Sequence, residues 1–177
     1  MLMTGSVVGQ EQYNVKFGTV RFHSEAPHEM ISAYSSKLTG EIDVERKTFK
    51  FDIILGAFKG LSCPLLSFFF KTGVTKSDTN PTASFTATIL DEIDLLKDGD
   101  YYVRAKGKMK IQGREQYLVV RVHVVSREGK LMIDTSLPLA FEDYDIRVPK
   151  MLGKSVVNEV VVDVAATLIP SAKISMK

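Results

Sequence analysis

The chain has 177 residues, a net charge of +2, 25% charged and 45% hydrophobic residues. This is the composition of a globular chain rather than a disordered one, and so small a charge gives no reason to expect nucleic acid. Lys and Arg read as solvent-face partners spread along strands, not as a patch. No run reaches the roughly 18 consecutive apolar residues of a membrane-spanning helix. Cys63 is the single cysteine, which excludes an internal disulfide and a multi-cysteine zinc site and reads as a buried or half-buried thiol.

Residues 1–9 are small and apolar before Gln10-Glu11-Gln12 turns polar. Val7 and Gly9 suit the −3 and −1 sites of a signal-peptidase cut, so 1–10 is expected to be the remnant of a signal peptide whose front is missing. The plain alternative is a frayed terminus. Residues 11–177 are then expected to form a single domain.

Gln12 to Phe22 reads as one strand or two short ones, broken near Gly18. Ser24, Glu25 and Pro27 can open a short helical insert, expected near 25–36. Lys37 to Val44 and Thr48 to Leu55 form a predicted hairpin around Glu45-Arg46-Lys47. Its second strand puts Phe49, Phe51, Ile53 and Leu55 on one face and Lys50 and Asp52 on the other.

From Gly56 to Val74 the alternation stops. Phe58, Leu61, Leu65, Leu66, Phe68, Phe69 and Phe70 crowd around Pro64, which predicts a second helical insert near 58–73. Pro81 to Ile89 resumes as a strand, with Ala83, Phe85, Ala87 and Ile89 on one side.

Asp98 to Val125 is the clearest element. Tyr101, Val103, Ala105, Met109 and Ile111 alternate with Arg104, Lys106, Lys108 and Lys110. After Gln112-Gly113-Arg114-Glu115 the rhythm returns, with Leu118, Val120, Val122 and Val124 against Arg121 and His123. A two-residue period is the mark of a strand with one buried and one wet face, and Gly113 supplies the positive φ of a tight turn.

Lys130 to Ala140 is another strand, blunted by Pro138. Phe141 to Lys154 reads as a loop. Val156 to Ile169 is the closing strand, with valines 160, 162 and 164 on one face. The result is about eight antiparallel strands, for which a closed meander barrel disposes of the edges best. An interior of eight strands holds side chains or one slender ligand.

Several segments resemble the YceI-like family, the polyisoprenoid-binding proteins of bacteria. Gly18 to Pro27, GTVRFHSEAP, resembles the family's opening strand and the turn after it, and Leu38 to Ile42 its next strand. Asn80-Pro81-Thr82-Ala83-Ser84-Phe85 is similar to the "YPxxxF" signature. Gly107 to Gly113 resembles the "GxLxIxG" hairpin, and Phe141 to Pro149 the "DYxIxxP" loop. The resemblance runs from about Gly18 to Leu168. It implies an all-β, lipocalin-like antiparallel barrel, an apolar cavity for an isoprenoid or acyl chain, and export to the periplasm. The chain departs from the pattern where many members have "FNExYM" and it has Phe70 to Thr75. It departs again at Gln112, where the family often has His, and at Asn80, which replaces the usual Tyr.

The expected cavity-lining residues are Phe49, Phe51, Ile53, Leu55 and Phe58 on the first hairpin and its exit. Phe69 and Phe70 belong to the second insert. Phe85, Met109, Ile111, Val120 and Val122 belong to the later strands, and Phe141 to the loop after Ala140. Core and pocket share one composition, so the same residues fit a filled barrel. His23, Glu25, His28 and Glu29 lie close together, but their spacing fits no known metal site and they read as solvated loop residues. His123 reads as a surface histidine. Asp143, Tyr144, Asp145 and Arg147 read as a loop closed by ion pairs or hydrogen bonds. No phosphate-binding glycine loop or G-x-S-x-G setting occurs.

The expectation is therefore a non-catalytic binding or transport protein for an apolar chain, periplasmic or secreted, needing no cofactor, metal or nucleic acid. A homodimer is left open. A lipocalin-like isomerase or cyclase, and a filled barrel acting through protein contacts, are the alternatives.

Overall fold

A computed structural model describes residues 12–24, 32–60, 82–146 and 159–171. Nine strands form one antiparallel sheet: β1 Gln12–His23, β2 Ser32–Ser35, β3 Thr39–Asp43, β4 Thr48–Ile54, β5 Thr82–Ile89, β6 Gly99–Ile111, β7 Arg114–Arg127, β8 Lys130–Ala140 and β9 Glu159–Pro170. The order is β2-β1-β3-β4-β5-β6-β7-β8-β9, and β1 also pairs with β9, which closes the sheet on itself. β2 and β3 lie along the same edge of β1, opposite Val20–His23 and Gln12–Asn14 respectively. They are one interrupted strand, so the ring is the eight-stranded lipocalin-like barrel anticipated from the alternation.

Short turns set the register. Gln112 and Gly113 both have positive φ, 49° and 82°, and so do Glu128 and Gly129, 52° and 68°. Two successive left-handed residues make the turn whose twist matches that of the flanking strands. Both hairpins therefore have two-residue turns, Ile111 pairing with Arg114 and Arg127 with Lys130.

Two local expectations are corrected. The insert near 25–36 is not helical over its described part: Ser32–Ser35 is a strand, with Ala33 and Ser35 buried and Ser32 and Tyr34 exposed. Four residues are too few to show a two-residue period, whereas the pairing to β1 provides backbone partners that a helix there would forgo. The break expected at Gly18 is a bulge between Val15 and Phe17. Gly18 instead lets Leu38 close in, since a Cβ at Gly18 would lie 2.8 Å from that of Leu38.

After β4 a single 3₁₀ turn, Leu55–Ala57, leads to an antiparallel bridge between Lys59 and Tyr34. The insert expected near 58–73 is thus extended at its start. From residue 61 onward it lies outside the described residues, as do Cys63 and residues 1–10.

One end of the barrel is tightly shut. Leu95, Leu131 and Leu168 are nearly fully buried there, and the hydroxyl of Ser126 donates to the carbonyl of Leu95 at 2.8 Å. The turn at 90–98 is held from outside by Arg104, whose guanidinium lies 2.8 Å from Asp91. Gly107 on β6 faces inward against β5. A Cβ there would lie 2.2 Å from the carbonyl oxygen of Thr86. Gly107→Ala is expected to destabilise by about 1–3 kcal/mol, as overpacking does. An unchanged denaturation midpoint would show that β5 and β6 can part at no cost.

On the outer wall His123 sits between two carboxylates, Asp100 at 2.7 Å and Asp134 at 2.9 Å, and stacks on Tyr102. Asp100 first, then Asp134, raises the His123 pKa above its ordinary 6.5. The sign follows: the stabilisation is complete below 6.5, where the unfolded imidazole is also charged, and is lost as pH rises through the raised folded value. The stability advantage of wild type over His123→Gln is expected to shrink as pH rises through that window. Parallel melting curves for the two proteins against pH would contradict it.

Candidate functional site

The inner faces of the strands enclose a cavity of about 150 Å³. Its cause lies in the side chains. Eight strands leave an interior that side chains can fill, but here many inward positions carry short ones. Ala83, Val103, Val120, Val122, Val160, Val162 and Val164 all line the space. Short side chains at these positions leave the centre open.

Aromatic rings concentrate on one wall. Phe49 lies 5.4 Å from Phe51 and 5.6 Å from Phe85, ring centre to ring centre, and Phe22 lies 5.1 Å from Phe58. Of the residues expected to line a cavity, Phe49, Phe51, Ile53, Leu55 and Phe58 do so. Phe85, Met109, Ile111, Val120, Val122 and Phe141 do as well. Phe69 and Phe70 lie outside the described residues.

The expectation left out other parts of the wall. Val20 and Phe22 of β1, Leu38, Ile42, and Ile133, Leu137 and Leu139 of β8 also face the cavity. Alternation in β1 and β8 was the signal that would have found them.

Polar chemistry is nearly absent from this wall. Asp52, Ser84 and Thr135 are the polar residues among those that border it. Asp52 shares the outer face of β4 with Lys50, 3.4 Å away, so its carboxylate points to solvent. Ser84 alternates with the inward Ala83 and Phe85. Thr135 faces in, and its hydroxyl donates to the carbonyl of Arg121 at 2.6 Å. An apolar wall with its hydroxyl satisfied attracts apolar surface and offers no acid, base or activated nucleophile among the described residues. No group of three His, Cys, Asp or Glu among the described residues is arranged to hold a metal. His23 pairs with Asp163 at 3.3 Å, while Glu25, His28 and Glu29 lie outside the described residues.

The barrel is not zipped along its whole length. β7 and β8 pair from His123–Asp134 down to Arg127–Lys130 and then separate. The segment after β8 folds back beside this gap. Phe141, Tyr144 and Ile146 are buried with Phe22, Leu55, Ile111 and Val160 in a second apolar cluster. Burial pushes the Tyr144 phenol up to about 12. Outside, the Gln116 amide donates to the Asp143 carbonyl at 2.9 Å, and Arg114 pairs with Asp145. The expectation that this loop is closed by ion pairs and hydrogen bonds holds for Asp143 and Asp145; Tyr144 is instead buried in the apolar cluster, and Arg147 lies outside the described residues.

Burial and exposed pairing carry different weights here. Phe141→Ala is expected to cost about 3–5 kcal/mol. Arg114→Ala, which removes an exposed ion pair, is expected to cost no more than about 1 kcal/mol. Chemical denaturation of both variants checks the contrast, and equal losses would mean that the ion pair holds the segment.

No family model matches the chain, and no curated protein matches it. Solved structures do. A polyisoprenoid binding domain from Saccharophagus degradans, implicated in plant cell wall breakdown, is 14% identical with a TM-score of 0.72, covering 90% of this chain and 98% of that one. BcnA of Burkholderia cenocepacia is 16% identical with a TM-score of 0.66, covering 85% and 95%. A mutant CJ YCEI protein made for nanotechnology applications is 11% identical with a TM-score of 0.58, covering 85% and 92%. At these identities the likeness establishes the fold, which is the one the motif resemblance implied.

Proposed function

We propose that this protein binds a single apolar chain, isoprenoid or fatty-acyl, inside the barrel, and acts as a non-catalytic carrier or sequestering protein. The observation that carries the reading is the cavity itself: about 150 Å³ of enclosed space with an almost wholly apolar wall. Such a wall offers water few hydrogen-bond partners and favours an apolar guest. Each methylene removed from water contributes about 0.8 kcal/mol. A ten-carbon chain therefore gains several kcal/mol before the cost of ordering it.

The enclosed volume suits part of such a chain. A longer one continues toward the end where Phe22, Phe58 and Phe141 gather. The name of the Saccharophagus degradans relative supports a polyisoprenoid as one ligand class. The rival enzyme reading requires a reactive group at the cavity wall, and the wall described above favours binding instead. Export to the periplasm or beyond is part of the proposal, on the grounds of the signal-like residues 7–9.

Native mass spectrometry of freshly purified protein, followed by solvent extraction, tests the proposal. A reproducible lipid-sized adduct that extraction removes is the expected result. A ligand-free protein that also fails to take up farnesol or a fatty acid would refute it.

A second test fills the space. Val162 lies mid-barrel and borders both apolar clusters. Val162→Phe is expected to lower stability by less than about 1.5 kcal/mol, because there is room for the ring, yet to abolish uptake of an apolar probe. A loss of about 3 kcal/mol with uptake retained would mean that the barrel is filled at this level and the ligand lies elsewhere.

A further inference from the structure

The outer wall of β6 and β7 gathers what the sequence separates. Reading along the chain, Arg104, Lys106, Lys108, Lys110 and Arg121 look like isolated solvent-face charges. The hairpin register places Arg104 opposite Arg121, Lys106 opposite Val119 and Lys108 opposite Tyr117. All five cations thus share one two-strand surface with Tyr117 and Val119. Tyr117 is 75% exposed and Val119 57%.

The charges are only partly compensated. Arg104 is engaged by Asp91 and Lys108 by Glu115 at 3.1 Å. Among the described residues Lys106, Lys110 and Arg121 have no carboxylate within ion-pair distance. On the β5 side Ser84, Thr86 and Thr88 adjoin Lys110, Lys108 and Lys106, so that flank is polar and uncharged. The inner face of the same two strands is cavity wall. The free flank of β7 is the gap where it leaves β8.

We propose that this β6–β7 face docks on an anionic lipid bilayer. The inference rests on the carrier reading, because a lipid chain must be collected from, or delivered to, a membrane. Cations whose apolar stems lie beside an exposed Tyr and Val form an interfacial anchor: the charges meet lipid phosphates and the ring and methyls enter the headgroup boundary. A nucleic acid fits less well. Single-strand binding stacks successive bases on several rings, and here Tyr117 is the one free ring among the described residues of this face, since Tyr102 is already stacked on His123, with its centre 4.6 Å away. Docking in this orientation puts the β7–β8 gap at the edge of the contact.

Vesicle flotation of the full-length protein tests the proposal, with phosphatidylcholine vesicles compared with vesicles containing phosphatidylglycerol. Binding is expected to need the anionic lipid and to weaken with salt. Lys106→Gln, Lys110→Gln and Arg121→Gln combined should lower partitioning on the order of a hundredfold, about fivefold for each cation. Tyr117→Ser with Val119→Ser should weaken binding while leaving the salt dependence unchanged. Equal binding to both vesicle types, or an unaffected triple variant, overturns the proposal. So does an oligonucleotide bound more tightly than the vesicles and insensitive to the Tyr117 and Val119 changes. Uptake of cis-parinaric acid in vesicle-free solution is measured in parallel and should be unaltered in every variant. Failed flotation with normal uptake counts against the docking face alone. Anionic-vesicle binding by a protein that takes up no cis-parinaric acid supports the face and removes the cavity reading.

Discussion

Everything in this molecule depends on closing a sheet on itself. Pairing of β1 with β9 over Tyr13 to His23 satisfies backbone groups that would otherwise form two open edges. Once the ring is closed, alternate side chains must point to a common centre, whatever their size. The character of that centre follows from which residues take the inward positions. Here they include many short valines together with a group of phenylalanines, and the space between them is not filled. The cavity is thus a consequence of backbone hydrogen bonding combined with short side chains, not of a separate binding element.

The two ends of the barrel divide the work. At the shut end, buried leucines and the Ser126–Leu95 bond close the barrel, and Leu95 forms part of the cavity wall. At the other end the strands are interrupted. β4 passes into a 3₁₀ turn and β7 parts from β8, while β2 and β3 break at Ser36–Leu38, opposite the middle of β1. Each interruption is covered by apolar side chains: Leu38, Phe58, and the Phe141–Tyr144–Ile146 group. Those covers are held by packing more than by ladder bonds, so this end can adapt to an occupant at lower cost than the rest of the wall.

Much of this was legible in the sequence, and the reasons are physical. Long strands with one wet face print a two-residue period, and β4 through β9 could be placed within a few residues from that alone. The same period assigned Phe49, Phe51, Phe85, Met109, Ile111, Val120 and Val122 to the interior. The strand Ser32–Ser35 was not legible, because a four-residue strand leaves no period and its identity depends on pairing with a distant segment. The basic face was not legible either. Arg121 joins Lys106 and Lys108 only through the register of two strands, which two consecutive left-handed residues at Gln112 and Gly113 determine. Whether the interior was filled or hollow also lay beyond the pattern, since it depends on distances across the ring.

The central claim is that an apolar chain occupies the space between the inward valines and the aromatic wall. The most direct measurement is NMR on methyl-labelled protein, looking for cross-relaxation between an added isoprenoid alcohol and assigned methyl groups. Contacts to Val120, Val122, Ile133 and Val162 are expected, and none to the outward Val119. Contacts confined to Val119 and other outer-face methyls, or none at saturating ligand, would contradict it.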